Sequence, residues 1–265
     1  MNNKQHTAPF LLAQLSDLHL TGEIGHHASY QSFLQVLQLA VHDGAKFLLL
    51  TGDLVNDGDK NAYTWLIDTM NATRLPYALL AGNHDVSLEL GKDLPYAARR
   101  LMPITKDNRL IGQQRFTLGA WQLLCINSAV AGHEHGHIDE QTLAWLDTIL
   151  AQHPKATLIA LHHHPMAVGS AWIDKLQLNN ADELLCVLAK HSHAKALLSG
   201  HVHQACQIRQ SLGTHDITLY TCPATSRQFA PFAKDFALDN LPAGYRLIQL
   251  YNTGGLSTYI KRLIM

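Results

Sequence analysis

Five short apolar runs in this sequence each end at a polar group that could bind a ligand. One run, 79–81, leads through Gly82 into Asn83, His84 and Asp85. The other four lead into Ser16-Asp17-Leu18-His19, Thr51-Gly52-Asp53, His162-His163-His164-Pro165 and Ser199-Gly200-His201-Val202-His203. A buried strand that ends in this way leaves its polar groups on a loop at the sheet edge, where ligands bind in open α/β sheets. We therefore predict one functional site that is assembled from five strand ends.

The spacing of apolar residues between these runs is helical, which predicts alternating strands and helices. Helices are expected over 30–42, 61–70, 140–151 and 180–190, the third with Asp139 as its N-cap. A short helix is also predicted over 96–102, and Asp57 and Asp59 are expected to cap the second helix. From Arg109 the apolar period changes toward two, which predicts antiparallel strands with a hairpin at Gly119-Ala120.

The last part of the chain is predicted to contain short strands over 205–209, 217–221, 245–250 and 257–263. The stretch 223–243 is irregular and contains proline, so we expect a loop that covers another surface. The sequence shows no linker, repeat or low-complexity segment. We therefore expect a single domain over 1–265, in which 223–265 supplies a cover loop and edge strands.

Charge and composition bound the partners of the protein. The 265 residues carry a formal net charge of −1, which gives no electrostatic sign of a nucleic-acid or membrane-surface partner. No run approaches the roughly 18 apolar residues of a membrane span, and the first residues lack the apolar stretch of a signal peptide. The four cysteines form no Cys-x-x-Cys pair. We therefore expect a cytoplasmic protein that binds neither nucleic acid nor membrane.

The strand ends have the composition of a metal site. Histidine is abundant, with 18 residues, and neutral imidazole is the commonest metal ligand. In the pairs Asp17/His19 and His201/His203, residues i and i+2 of an extended segment would point the same way and could reach one ion. Seven side chains are candidate ligands: Asp17, His19, Asp53, Asn83, His162, His201 and His203.

Seven ligands are too many for one tetrahedral zinc ion and suit two ions that share a carboxylate. Nitrogen and oxygen ligation without sulfur suits Fe, Mn, Zn or Co better than Ca or Mg. Two ions about 3.5–4 Å apart serve in-line displacement at phosphorus. The sequence contains neither a Gly-x-Ser-x-Gly nucleophile motif nor a Walker-type loop.

The order of these blocks resembles the five-block signature of the calcineurin-like metallophosphoesterases. The matching blocks are Asp17-Leu18-His19, Gly52-Asp53, Gly82-Asn83-His84-Asp85, His162 followed by Pro165, and Gly200-His201-Val202-His203. Further stretches resemble the bacterial class III cyclic-nucleotide phosphodiesterase branch, and in particular its cAMP phosphodiesterases: His162-His163-His164-Pro165, Trp172, Asn179-Asn180-Ala181, Gly200-His201-Val202-His203-Gln204, Pro223-Ala224-Thr225, Gln228-Phe229 and Pro242-Ala243-Gly244-Tyr245-Arg246. The resemblance implies an α/β fold, a four-layer α-β-β-α sandwich with two mixed sheets.

The resemblance also implies roles for individual residues. Asp17, His19 and His203 would hold the first metal ion, Asn83, His162 and His201 would hold the second, and Asp53 would bridge them. A frame slip in the histidine triple would select His163 in place of His162. His84 would act at the leaving oxygen as a proton donor or transition-state contact, and Asp85 would fix the tautomer of His84 by a hydrogen bond. The substrate would contact His19, Asn83, His84 and His203.

The implied reaction is hydrolysis of the 3′,5′-cyclic phosphodiester of cAMP to 5′-AMP by in-line attack of a metal-bridging hydroxide. The alternatives are other small phosphodiesters, such as 2′,3′-cyclic nucleotides or glycerophosphodiesters, and a non-catalytic scaffold that keeps the fold. The expected cofactors are two divalent or trivalent ions per chain, and a homodimer is left open. His135 and His137 have no place in the implied ligand set. Three residues are expected where the cover loop meets the site, either as phosphate or base contacts or in loop packing: Arg227, Gln228 and Phe229.

Overall fold

The computed structural model describes residues 8–56, 59–88, 101–103, 110 and 112–264. Its helices and strands are, in chain order, β1 (Phe10–Leu15), α1 (Ala28–His42), β2 (Phe47–Thr51), α2 (Lys60–Ala72), β3 (Tyr77–Leu80), β4 (Val86–Leu88), β5 (Leu101–Pro103), β6 (Gln114–Leu118), β7 (Trp121–Cys125), α3 (Glu140–Gln152), β8 (Thr157–Ala160), α4 (Ala181–Ala189), β9 (Ala194–Ser199), β10 (Gln207–Ser211), β11 (Asp216–Thr221), β12 (Gln228–Phe229), β13 (Leu238–Asp239), β14 (Gly244–Leu250) and β15 (Leu256–Arg262). Short 3-10 helices lie at Asn83–Asp85 and Ile173–Leu176.

Two mixed sheets form the centre of the fold. The first sheet has the strand order β15-β14-β1-β2-β3, and the second has the order β10-β11-β9-β8-β7-β6. Strands β1, β2 and β3 are parallel in the first sheet, and β7, β8, β9 and β11 are parallel in the second. The other strands of these two sheets pair antiparallel at the sides of the parallel sets.

Side-chain alternation along the strands produces the layers. In β2, Leu48 and Leu50 pack on the outer face with residues of α1 and α2, whereas Leu49 packs on the inner face against the second sheet. In β8, Leu158 lies in the same inner core, and Ile159 packs outward with residues of α3 and α4. The layers therefore run helix, sheet, sheet, helix, which confirms the predicted α-β-β-α sandwich with two mixed sheets.

Local sequence predicted two helix caps correctly but predicted a helix where part of the chain forms a short strand. Asp59 and Asp139 cap α2 and α3 through their side chains, as predicted, whereas Asp57 lies outside the described residues. The helix predicted over 96–102 falls mostly on residues that are also outside the described ranges. Its last two positions lie in β5 and pair with β4, so the prediction is wrong there. Pairing with a neighbouring strand overrides a weak local helical pattern.

The segment 223–243, predicted as an irregular loop, contains a small two-stranded sheet. Strands β12 and β13 pair antiparallel through Gln228 with Asp239 and through Phe229 with Leu238. This hairpin crosses the edge at which the parallel strands end, because Phe229 N donates to the His203 carbonyl at 3.4 Å. Among the described helices, none is both long and apolar enough to cross a bilayer.

Arg246, in β14, ties the two sheets together near the edge at which the parallel strands end, since it pairs with Gln14 at the end of β1. Its side chain is only 3% exposed, and its Nε and Nη2 donate to the carbonyl of Thr221 in β11 at 2.9 and 2.8 Å. Nη2 also donates to the Cys206 carbonyl at 3.0 Å, and Nη1 donates to Thr258 Oγ1 in β15 at 2.6 Å. A planar guanidinium can serve all of these acceptors at once, which the ammonium of a lysine cannot do.

We expect Arg246→Lys to lower the free energy of unfolding by about 2–3 kcal/mol, because buried carbonyls lose charged donors. Urea denaturation measures the difference. The matched control is Arg209→Lys, since Arg209 forms an exposed ion pair with Asp216 and such a change stays within about 0.5 kcal/mol. Equal losses in the two variants would contradict this role of Arg246.

Candidate metal centre

The predicted ligands from both sheets meet at the edge where the parallel strands end. His203 Nε2 lies 3.4 Å from Asp17 Oδ1, and His19 Nε2 lies 3.2 Å from His203 Nε2. Asp53 stands between two histidines, with His19 Nε2 3.7 Å from Oδ2 and His162 Nε2 3.5 Å from Oδ1. A carboxylate in this position can bridge two ions.

Potential ligand atoms form four overlapping groups of three, and the atoms of each group lie within 4.8 Å of one another. The groups are Asp17, His19 and His203; Asp17, Asp53 and His162; His19, Asp53 and His84; and His162, His163 and His201. The second group links the first to the fourth, so the described ligands form one continuous centre. The groups offer more ligand atoms than one tetrahedral ion would take.

Five of the candidate ligands adopt left-handed backbone conformations, which non-glycine residues rarely do. The φ angles are 53° for Asp17, 47° for His19, 50° for Asp53, 68° for His201 and 49° for His203. The expectation that the i and i+2 pairs lie on extended backbone is therefore wrong. The side chains still reach a common centre because the chain turns sharply after each strand, while Leu18 and Val202 between the paired ligands stay fully buried.

Hydrogen bonds from other parts of the chain orient three of the imidazoles. His162 Nδ1 lies 2.7 Å from the Thr51 carbonyl, and His203 Nδ1 lies 2.6 Å from the Arg227 carbonyl. His19 Nδ1 lies 3.1 Å from Asn56 Oδ1. An oxygen acceptor fixes the proton on Nδ1 and leaves Nε2 with a free lone pair, as metal-binding histidines require.

Unpartnered polar atoms support a metal site at this centre. Within the described part of the chain, Asn83 Oδ1, His162 Nε2, His163 Nε2 and His201 Nε2 are buried without a hydrogen-bond partner. A buried polar atom without a partner is costly, and such atoms are rare in folded proteins. The donor set of nitrogen and carboxylate oxygen without thiolate fits Fe, Mn, Zn or Co. The residues present therefore fit the two implied ions.

The structure brings both His162 and His163 close to the centre but gives them different partners. His162 contacts the Asp53 carboxylate. His163 Nδ1 instead lies 2.9 Å from Ser128 Oγ, and the two rings meet edge to face at 4.8 Å. These contacts favour His162, and not His163, as the residue that binds the same ion as Asp53. The assignment stays a prediction.

Burial and neighbouring charges shift the pKa values of these groups in different directions. Burial opposes ionisation of Asp53, but His162 and His19 hold its pKa well below the usual value. Burial likewise disfavours charge on His162, yet Asp53 and Asp17 raise its pKa to about 9. Burial and neighbouring histidines hold the pKa of His201 and His163 well below the usual value. The last two are therefore neutral, which is the metal-binding form of imidazole.

Asp85 does not fix the His84 ring as predicted. Its carboxylate accepts from the backbone N–H groups of Leu54, Val55 and Gly82 and from the Tyr63 hydroxyl at 2.6 to 3.1 Å. Burial and the Asp53 carboxylate raise the pKa of Asp85 to about 6. The His84 ring is oriented instead by the Asn56 carbonyl, 3.2 Å from Nδ1. Asp85 thus fastens the loop that carries Asn83 to the loop that carries Asp53.

Asn56 contacts the imidazole Nδ1 atoms of His19 and His84, and the sequence did not predict this role. Its side-chain oxygen faces His19 and its carbonyl faces His84. A polar residue three positions after the Asp53 ligand was the available signal. Arg227 contributes its carbonyl to His203, while its exposed side chain lines a pocket beside the centre. His135 and His137 take no part in the ligand groups found among the described residues.

We expect Gly200→Ala to weaken metal binding by at least tenfold, because a Cβ at this position would overlap Ser16 Oγ and lie 2.7 Å from the Thr51 carbonyl. The loop that carries His201 and His203 would have to move away from the first sheet. Metal content after dialysis measures the effect. In the control Gly255→Ala, the nearest atom to the new Cβ would be Thr253 Oγ1 at 3.8 Å. Full metal content in Gly200→Ala would contradict the close-approach argument.

We expect Asp85→Asn to lower the free energy of unfolding by about 2–3 kcal/mol, because the new amide group turns a donor toward backbone N–H groups. Thermal unfolding and the pH dependence of turnover together test this role. If Asp85 acts on the loops, stability falls and the shape of the pH profile is kept. Unchanged stability with a shifted pH profile would instead restore the role on His84.

Comparison with known proteins agrees with this geometry. A family model described as calcineurin-like phosphoesterase matches residues 10–205. A probable cyclic nucleotide phosphodiesterase of Moraxella catarrhalis is 46% identical over 264 residues, which cover 98% of this chain and 95% of that protein. The 3′,5′-cyclic adenosine monophosphate phosphodiesterase CpdA of Escherichia coli K12 is 34% identical over 261 residues, which cover 95% of this chain and 89% of that protein.

Solved structures extend the likeness of the fold. A dimetal phosphatase from Danio rerio superposes with a TM-score of 0.61 at 16% identity, over 97% of this chain and 99% of that chain. At such low identity this likeness concerns the fold alone. The family model covers most of the chain and includes all seven candidate metal ligands. This chain therefore belongs to the calcineurin-like phosphoesterase family.

Proposed function

We propose that this protein is a dimetal phosphodiesterase that hydrolyses the 3′,5′-cyclic phosphodiester of cAMP to 5′-AMP, by in-line attack of a hydroxide held between two metal ions. The observation that carries the proposal is the group of buried, unpartnered ligand atoms that includes His162 Nε2, beside an Asp53 carboxylate that faces His162 on one side and His19 on the other. Relatives named as cyclic nucleotide phosphodiesterases, which align over nearly the whole chain, support the substrate class.

When two ions are bound at such a centre, they activate a water molecule and neutralise charge on the phosphate oxygens. Asp17, His19 and His203 would hold one ion, Asn83, His162 and His201 the other, and Asp53 both. Neutral His201 offers its lone pair directly, and the Nδ1 contacts of His162 and His203 hold their Nε2 atoms in place. His162, whose pKa is raised to about 9, would release a proton when an ion binds. This preorganisation is what electrostatic catalysis at phosphorus requires.

His84 is the residue that we propose as the proton donor to the leaving oxygen. Its ring meets the His19 ring edge to face at 4.9 Å, and its backbone N–H donates to Asp53 Oδ1 at 3.0 Å. Because the Asn56 carbonyl accepts from Nδ1–H, the ring can donate a proton from Nε2 only as the doubly protonated imidazolium. A 3′-alkoxide is a poor leaving group, so protonation there contributes to the rate.

The pocket beside the centre suits a small substrate. Its volume is about 560 Å³, and its lining includes His19, Asn56 and His203 at the metal end. Small-molecule sites typically lie in this size range. With a net charge of −1, the protein lacks the charge excess that polynucleotide binding uses. These features support a mononucleotide over a nuclease substrate.

The testing experiment is steady-state hydrolysis of 3′,5′-cAMP by protein stripped of metal and reloaded with Mn²⁺ or Fe²⁺. Asn83→Ala and His84→Ala are measured beside the wild type, and bis(p-nitrophenyl) phosphate is the second substrate. We expect metal-dependent release of 5′-AMP from cAMP and of p-nitrophenol from the second substrate, and Asn83→Ala should abolish both. We expect His84→Ala to lower kcat on cAMP by about 10²-fold or more and to have a much smaller effect on the second substrate, because p-nitrophenolate leaves without a proton.

The outcomes separate the alternatives. Cleavage of bis(p-nitrophenyl) phosphate without cAMP turnover would overturn the substrate assignment. The protein would then be a phosphodiesterase that acts on another substrate, such as 2′,3′-cyclic nucleotides or glycerophosphodiesters. Equal losses on both substrates in His84→Ala would make His84 a phosphate contact and not an acid. No turnover of either substrate, with two metal ions bound per chain, would favour a non-catalytic scaffold.

A further inference from the structure

Three aromatic rings form a cluster at the outer end of the pocket beside the metal centre. Trp172, Phe229 and Phe236 meet edge to face, with ring centroids 5.0 to 5.4 Å apart. Phe229 and Phe236 line the pocket together with Leu238. Two rings of the cluster therefore line the same cavity as His19 and His203.

The cluster is joined directly to a predicted metal ligand. Phe229 stacks on the His203 imidazole with centroids 3.9 Å apart and planes 7° apart. One face of Phe229 is thus occupied by the ligand that it holds in place. Phe236 contacts Phe229 on the side away from the metal centre and is 61% exposed. It therefore offers free aromatic surface to the pocket.

The start of α1 also lines the pocket, through Ser29 and Ser32. Ser29 Oγ lies 2.8 Å from His27 Nδ1, and Ser32 Oγ donates to the Thr225 carbonyl at 2.6 Å. Both hydroxyls are already used in hydrogen bonds. The pocket therefore offers a planar ligand apolar and aromatic contact from the cluster, beside serine hydroxyls that already have partners and the exposed Arg227 side chain.

We propose that Phe236, with Leu238 and the edge of Phe229, is the stacking platform for the nucleobase of the substrate. This inference rests on the proposed function, because a cyclic phosphate at the metal ions directs the attached base along the pocket. Every base has a π-face, so stacking selects by ring area and not by the pattern of donors and acceptors. The platform therefore prefers purine over pyrimidine 3′,5′-cyclic nucleotides.

The test compares two substrates that share the reacting ring: 3′,5′-cAMP and the base-free ribose 3′,5′-cyclic phosphate. In Phe236→Ala we expect KM for cAMP to rise about tenfold, with turnover of the base-free substrate unchanged. Phe236→Trp should recover the wild-type KM. The preference for cAMP over cCMP should shrink toward one in Phe236→Ala. Phe232→Ala is the matched control, since this exposed ring lies on the same segment but lines a neighbouring pocket.

An unchanged KM for cAMP in Phe236→Ala would overturn the platform. Equal losses on both substrates would also overturn it, because Phe236 would then act on the reaction through Phe229 and His203. A wild type that hydrolyses no cAMP would refute the proposed function, and binding of 5′-AMP then decides the platform separately. Calorimetry should show about tenfold weaker 5′-AMP binding in Phe236→Ala with ribose 5-phosphate unaffected, and equal 5′-AMP affinity would refute the stacking role.

Discussion

Hydrogen bonds across the junction of the two sheets hold the whole centre together. The His162 imidazole, after β8, faces the Thr51 carbonyl at the end of β2 at 2.7 Å. The backbone N–H of His201, after β9, donates to both carboxylate oxygens of Asp17, after β1, at 3.1 Å. Ligands from separate sheets can share ions only because the two backbones approach this closely. Glycines 52, 82 and 200 permit the approach, since a Cβ at each would overlap an atom of the other loops.

The sharp turns that bring the ligands together are strained, and burial of their neighbours holds them in place. A non-glycine residue in the left-handed region costs of order 1–3 kcal/mol and persists only where the surrounding structure over-determines it. Here Leu18 and Val202 are fully buried between paired ligands, so each Asp-x-His or His-x-His loop is anchored at its middle residue. Strain and anchoring together leave the side chains little freedom, which suits a preorganised metal site.

Three adjacent residues in the loop after β3 have three different roles. Asn83 presents an unpartnered amide oxygen, His84 extends a ring to the His19 ring and the Asn56 carbonyl, and Asp85 turns inward to bind backbone N–H groups. The two outward groups can act on a substrate or an ion because the inward carboxylate fastens the loop. Scaffolding and chemistry are therefore separated residue by residue within one short 3-10 helix.

The four layers were implied by the resemblance to a known family. The sequence by itself determined the alternation of strands and helices, the helix caps at Asp59 and Asp139, and the set of residues that meets at the strand ends. These follow from apolar period, from local side-chain hydrogen bonds and from the rule that parallel strands end at one edge. Only the tertiary structure decided which way the imidazoles face, what Asp85 binds and where the aromatic cluster stands. Each of those features depends on atoms that are distant in the chain, as His162 and Thr51 are, and no local pattern encodes a partner that folding supplies.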